Sequence, residues 1–313
     1  MKHPNKNMVS IIIPNLNNAQ RLDLCITAVK KNIGDRETVE IIVVDNGSTD
    51  ESIEIAKRHQ VTVLIEVTIT TPFAARNRGI KAAKGDTIVL LDSNCIPLRG
   101  WLNTGLEVLG QGWDIVGGPL VFEEVSSHDY LAKFDRIYGT IYPEDINKRT
   151  SLPSGNLFIK RQVFVKTGLF LPYARGLGDI EWTNRAYNNN FTLGWAPFAK
   201  VLYPPKSGSA FLKKMFRLGT GKKELQVYNR KTVWDFRWCL KITTKLLPPS
   251  PRFVVSMNRI NQTEELGLSL ISLAFLCWLT KLLRGCGMLF GKIDTRIYPR
   301  KTPGNQPINK NHS

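Results

Sequence analysis

Residues 40–50 read EIIVVDNGSTD. Ile41 to Val44 is an unbroken aliphatic run, closed by the turn formers Asp45, Asn46, Gly47 and Ser48. A run this short and uniform predicts a strand over Glu40–Val44 buried on both faces, the kind found in parallel sheets. Parallel strands need crossover helices, and the flanking sequence supplies them. Upstream, Val9–Pro14 (VSIIIP) is a second β-branched run, and Ala19–Asn32 carries Leu22, Ile26 and Val29 at helical spacing. Downstream, Ser48 or Asp50 can cap a helix over Glu51–His59. Val61–Val67 then reads as a third strand, Arg76–Ala83 as a helix and Asp86–Leu91 (DTIVLL) as a fourth strand. The alternation predicts an α/β fold, a mostly parallel Rossmann-like sheet with helices on both faces.

Ligands of such sheets sit beyond the carboxyl ends of the strands. Three of these ends carry polar pairs: Asn15 with Asn17, Asp45 with Asn46, and Asp92 with Asn94. One pair would be an ordinary turn. Three in succession on one rim point to a site. Further along, a strand is expected over Asp114–Val121 and a helix over Ser126–Tyr142, with Leu131, Phe134 and Tyr138 on one face. A Ser154-Gly155-Asn156 turn leads into a strand and a short helix. Gly178-Asp179-Ile180-Glu181 opens a helix running to about Asn188, and Phe191–Leu202 contains a last strand. The first strand ends in PNLNN, where a dinucleotide-binding oxidoreductase needs GxGxxG.

The charge is unevenly spread. The 313 residues carry 43 Lys+Arg and 26 Asp+Glu, a net of +17. Residues 1–200 are nearly neutral at +2, and residues 201–313 carry the remaining +15. Nucleic acid is not the expected partner, because no zinc spacing, recognition helix or RNA-binding aromatic motif accompanies the charge. Cys25, Cys95, Cys239, Cys277 and Cys286 form no CxxC pair, which fits neither a disulfide framework nor a zinc site and suits a reducing compartment. The polar start MKHPNKNMVS has no apolar signal core, so a cytoplasmic location is expected.

Five stretches occur in order: VSIIIPNLNN (9–18), EIIVVDNGSTD (40–50), AARNRGIKAAKGDTIVLLDSNCIP (74–97), SGNLFIKRQVFVKTGLF (154–170) and GDIEWTNRAYNNNFTLGWAP (178–197). Together they resemble the inverting family-2 glycosyltransferases, whose nucleotide-sugar domain has the GT-A fold. The resemblance spans roughly residues 8–205 and implies a set of roles. Pro14, Asn15 and Asn17 would line the nucleotide pocket, with Asp45 on the base or ribose. Arg76 and Asn77 match an Arg-Asn pair near the nucleotide, and an arginine fork could offset pyrophosphate charge. Asp92-Ser93-Asn94 matches the Asp-x-Asp signature that binds ribose and a divalent metal, Mn²⁺ or Mg²⁺, on the diphosphate.

Two departures weaken that metal site. Asn94 stands where the signature ends in Asp, and Tyr203 stands where the family often has a metal-binding His. Asp179 matches the catalytic base, which takes the proton as the acceptor hydroxyl attacks in line. Glu181 matches the later acid of the same motif and would orient the acceptor. Gly178 precedes Asp179 where the pattern has Glu. Ser154, Gly155 and Asn156 resemble an element near the donor sugar. Trp182 would pack beneath a sugar, and Arg185 would pair an acid of its helix or reach the phosphate.

After Pro205 the chain changes character. Phe216-Arg217-x-Gly219-x-Gly221 resembles an element that follows the catalytic domain in membrane-associated members of the family. Trp234–Leu247 mixes tryptophan with basic residues, the composition of a helix lying in a membrane interface. Leu266–Thr280 is uncharged over 15 residues. Spanning a bilayer takes about 20, so an interfacial or re-entrant anchor is expected rather than a full span. The expected division is a catalytic domain over 1–205, a basic helical membrane-associating region over 206–298, and a disordered tail over 299–313. The expected activity is inverting transfer of a sugar from a nucleotide-sugar donor, UDP-linked by expectation. The acceptor would be a lipid-linked saccharide or polysaccharide precursor at the cytoplasmic face of an anionic membrane. The competing expectation is a non-catalytic sugar-nucleotide-binding or membrane scaffold that kept the fold.

Overall fold

The computed structural model describes residues 5–34, 37–139, 149–228 and 236–293. In chain order the first half runs β1 (Asn5–Asn15), α1 (Ala19–Ile33), β2 (Val39–Asp45), α2 (Ser52–Arg58), β3 (Thr62–Ile65), α3 (Pro72–Ala82), β4 (Gly85–Leu91), β5 (Ile96–Pro97) and α4 (Trp101–Gly110). It continues through β6 (Ile115–Gly117), β7 (Leu120–Phe122), α5 (Tyr130–Gly139), β8 (Asn156–Lys160), α6 (Arg161–Thr167), α7 (Gly178–Asn188), β9 (Leu193–Trp195) and β10 (Val201–Tyr203). Four helices follow: α8 (Gly208–Tyr228), α9 (Phe236–Leu246), α10 (Pro251–Thr263) and α11 (Leu270–Phe290).

The main sheet has seven strands in the order β3-β2-β1-β4-β8-β6-β9. The first four are mutually parallel, and β8 runs antiparallel between β4 and β6. Register follows from alternation along each strand. Ile11 and Ile13 face one layer with Leu22, Ile26, Val43 and Trp101. Ile12 faces the other with Ile42, Val44, Phe73, Ile80 and Trp182. A third core joins Phe134 and Ile137 of α5 to Phe211 and Met215 of α8 and to Leu273 and Leu276 of α11.

Several elements differ from expectation for local reasons. The strand expected over Asp114–Val121 is two strands, broken at Gly118-Pro119, where proline removes a ladder donor. β7 then leaves the main sheet for a three-stranded one, β5-β10-β7. The last-strand region divides likewise into β9 and β10. α3 starts at Pro72 rather than Arg76, because Thr71 caps it by accepting from the Ala74 N–H at 3.1 Å. Arg76 is therefore inside the helix. α4 and α10 were not expected, and the uncharged run of 266–280 is the first part of the longer α11. Trp234, residues 140–142 of the expected fifth helix and the tail over 299–313 lie outside the described residues.

Candidate active site

The carboxyl ends of β1, β2 and β4 meet on one rim, and short polar bonds stitch their loops together. Asn15 ends β1 and donates its Nδ2 to Asp45 Oδ2 (3.1 Å) and Ser48 Oγ (3.3 Å). Asp45 Oδ1 accepts from the N–H groups of Gly47 (2.9 Å) and Ser48 (2.7 Å), and its Oδ2 accepts from Ser48 Oγ (2.6 Å). Asp45 is 1% exposed, so its carboxylate holds this loop instead of reaching a base or ribose as expected. Pro14 is buried beneath the rim, and Asn17 is exposed upon it. Asn17 takes a positive φ of 47°, accepting from the Thr49 N–H at 2.7 Å. Asn18 Nδ2 bonds Ser93 Oγ at 3.1 Å, tying the first loop to the third.

Asp92 is the centre of the arrangement. Its Oδ1 pairs with Arg76, whose side chain is 5% exposed and lies over the Phe73 ring at 5.3 Å. The Asp92 N–H donates to Gly155 O at 3.2 Å. A Cβ at Gly155 would stand 3.3 Å from Asp92 Oδ2, a tight contact that the carboxylate would have to relieve by shifting a few tenths of an ångström. The next residue back, Ser154, donates its N–H to Asp179 Oδ2 at 3.0 Å. Asp179 stands in the first turn of α7, where the helix N-terminus favours a negative charge. One turn thus bridges the two carboxylates. Nearby, Asn15 Oδ1 and Arg76 Nε are buried without a protein partner.

Asn94 and Tyr203 also meet here. The Tyr203 hydroxyl hydrogen-bonds the Asn94 amide, and burial, with the Asp92 charge second, pushes the phenol up from its ordinary range. Tyr203 rests edge-on to Phe122 with centroids 5.6 Å apart. The Lys206 ammonium lies 5.8 Å from the Tyr203 ring centroid. This corner is where the resemblance places Mn²⁺ or Mg²⁺. Such ions want several oxygen ligands with anionic charge. The corner instead offers one carboxylate already paired with Arg76, an amide engaged by a phenol, and a lysine on the same side. Among the described residues no group of three His, Cys, Asp or Glu is placed to hold a metal ion. The chain's own donors here are fewer and less anionic than such an ion prefers, so a divalent ion in this corner would depend on Asp92 and on the oxygens of a bound diphosphate.

Four other expectations are corrected by burial and pairing. Asn77 spends both ends of its amide on Phe170, donating to its carbonyl (2.9 Å) and accepting from its N–H (3.0 Å). Asn156 accepts from Trp101 Nε1 (2.8 Å) and donates to Ala199 O (2.8 Å), 2% exposed beneath the turn. Trp182 is fully buried, stacked on Phe164 at 4.5 Å with its Nε1 on Gly168 O at 2.7 Å, and cannot underlie a sugar. Arg185 makes a fork to Glu181 (2.8 and 3.2 Å) and also reaches the Thr167 and Leu169 carbonyls. Arg185 is thus ion-paired to Glu181, whose side chain is 10% exposed. Lys206 was missed by sequence reasoning; its one signal was its place three residues after the expected strand end at Tyr203.

A parallel sheet with one antiparallel strand and an acidic loop at its centre defines a GT-A type nucleotide-diphospho-sugar transferase fold. The chain belongs to glycosyl transferase family 2, whose profile matches residues 10–171, and it is a glycosyltransferase. It is 30% identical over 289 residues to the glycosyltransferase AglE of Haloferax volcanii, covering 90% of this chain and 95% of that one. Among solved structures it resembles the mannosyltransferase PcManGT from Pyrobaculum calidifontis, described in complex with GDP-Man and Mn²⁺. The TM-score is 0.59 at 14% identity, covering 91% of this chain and 86% of that one. Residues 1–349 of S. aureus TarS give a TM-score of 0.52 at 14% identity, with 89% and 90% covered. At these identities the structures speak for the fold alone.

Proposed function

We propose that this glycosyltransferase moves a sugar, with inversion, from a nucleotide-sugar donor to a lipid-linked saccharide or polysaccharide precursor at a membrane face. The carrying observation is the Ser154-Gly155 turn, which holds Asp92 and Asp179 on either side of one short stretch of backbone. Asp92 with Arg76 belongs to the donor side, where the Arg76 guanidinium holds one Asp92 oxygen and sets a positive charge beneath the rim. Asp179 is the base. Its carboxylate takes the proton from the acceptor hydroxyl as that oxygen attacks the anomeric carbon, and the nucleoside diphosphate leaves from the opposite face. Cationic side chains around the leaving group stabilise its growing charge. Ser154 and Gly155 position the acids, and Glu181 with Arg185 stiffens the start of α7.

The lipid-linked acceptor is supported by the helices after residue 205, which we assign to a membrane-associating region distinct in role from residues 1–205. Ile271, Phe275 and Trp278 form an exposed stripe along α11, and Leu246 and Leu247 at the end of α9 extend it. Trp278 Nε1 bonds Leu246 O at 3.0 Å, and Lys281 Nζ bonds Leu247 O at 2.7 Å, so the two helices present one apolar face. Five free cysteines support the cytoplasmic side.

The decisive experiment is a donor screen by thermal shift over UDP-, GDP- and dTDP-sugars, with a UDP-sugar expected to score. Product analysis with membrane extract as acceptor source follows. The expected product has inverted anomeric configuration and partitions with lipid. A retained configuration, or nucleotide binding without turnover on any donor, overturns the reading.

A further inference from the structure

We propose that Lys206 is the diphosphate-binding cation of this enzyme, standing in the corner where a metal-dependent relative would hold its ion. The inference rests on the donor reading above.

Asp135 of α5 is fully buried, and its two oxygens are divided between the region's lysines. Its Oδ2 accepts the Lys206 backbone N–H at 2.8 Å, and its Oδ1 takes the Lys214 ammonium at 2.6 Å. The Lys214 ammonium is thereby paired. Lys206 is fixed by its backbone, and among the described residues no carboxylate lies within ion-pair distance of its ammonium. The side chain is partly buried against the Tyr203 ring, whose hydroxyl bonds Asn94. Burial holds the ammonium below the ordinary lysine range, with Lys214 and Arg217 repelling it and Asp135 and Asp92 opposing that shift.

A partly desolvated cation without a paired carboxylate is costly to keep unless a ligand brings the counter-charge. The residues around it say which ligand. Asp92 and Asp179 stand on the same rim, joined through the Ser154-Gly155 turn, and Arg76 already occupies one Asp92 oxygen. A diphosphate bound between Arg76 and Lys206 would meet cations on two sides. The group that stabilises the leaving diphosphate is then a fixed ammonium, already in place before the charge develops. Lys206 is delivered by the first turn of chain beyond β10, so the donor site is completed by the segment that leads into α8.

The test is isothermal titration of the full chain with uridine and guanosine diphosphates and monophosphates, with EDTA and then with added Mn²⁺. Wild type is expected to bind its preferred diphosphate equally well in both. Lys206→Gln should weaken that diphosphate about 20-fold and the monophosphate less than about threefold, while Lys206→Arg stays within about fivefold of wild type. Circular dichroism melting confirms that the variants are folded, since the Lys206 side chain is outside the core clusters. Loss of wild-type diphosphate binding in EDTA overturns the inference. So does a Lys206→Gln affinity equal to wild type. Binding of no nucleotide by wild type overturns the donor reading itself, a result the other outcomes do not mimic.

Discussion

Asp179 uses its two oxygens differently. Oδ1 accepts the Ile180 N–H at 2.9 Å, while Oδ2 accepts the Ser154 N–H at 3.0 Å. Both bonds fix the direction of the carboxylate. Asn has the same shape but a single acceptor oxygen, so it keeps one of the two bonds; Asp179→Asn should keep donor affinity and lose turnover by about 10³-fold, the range expected for a general base. Near-normal turnover would assign the base elsewhere. Asn94 offers the converse experiment. Asn94→Asp adds a second carboxylate to the Asp92 corner and should create Mn²⁺-strengthened nucleotide binding that wild type lacks. Unchanged binding with and without Mn²⁺ would mean that residue 94 does not face the phosphates. At this scale Asp92 and Asp179 stood out in sequence because each closes a strand or opens a helix on the rim, although their partners Arg76 and Ser154 lie 16 and 25 residues away. Sequence misled for Asn77 and Asn156, because their partners Phe170 and Ala199 lie 93 and 43 residues away. An amide spent on distant backbone looks in sequence like one free for a ligand.

The elements were legible wherever apolar period and turn chemistry agreed. β1, β2, β4 and α1 fall where their aliphatic patterns put them, and α7 starts at Gly178 as its acidic first turn implies. Short strands escaped because three residues carry too little period to read, and β6, β7, β9 and β10 are each three residues long. α7 shows how an element fixes a site from beneath. Trp182 and Arg185 face away from the rim, one into the Phe164–Phe170 aromatic cluster and one onto the Thr167 and Leu169 carbonyls. Trp182→Ala should therefore destabilise the fold by about 4 kcal/mol, the usual cost of emptying a large aromatic site. Trp182→Phe should cost about 1–2 kcal/mol, mostly from the lost bond to Gly168 O, and should leave donor and acceptor KM unchanged. Denaturant unfolding together with steady-state kinetics checks both. A KM rise in a Trp182→Phe variant of full stability would return this indole to the sugar site.

At the scale of the whole molecule, the proposed membrane docking would use the uneven charge and the apolar stripe together. α11 has the length to cross a membrane, 21 residues at a mean hydropathy of 1.5. Its packing argues that it lies flat. The α8 and α11 backbones touch where Gly219 meets Arg284 O and Gly287 meets Phe216 O, and side chains at these glycines would part the helices. Lys223 of α8 seals the end of α11 by bonding Leu289 O (3.1 Å) and Gly291 O (3.0 Å). A spanning α11 would have to leave α8 or draw Lys213, Lys214, Arg217, Lys222 and Lys223 into the bilayer, at about 2.5–3.5 kcal/mol for each charge near its centre. Lying in the interface costs neither, and it keeps lysines at headgroup level beside the apolar stripe. α8 also reaches the acceptor side, because buried Glu224 accepts the Arg175 N–H at 3.0 Å just ahead of Asp179. Full-length protein should therefore float with anionic vesicles and not with neutral ones, and alkaline carbonate should release it from membranes. Ile271 and Phe275, 84% and 56% exposed, can be changed without touching any core. The double variant Ile271→Glu with Phe275→Glu should lose flotation while keeping nucleotide affinity and melting temperature. Resistance to carbonate would make α11 a true span, and equal flotation on neutral lipid would remove the basic residues from the docking.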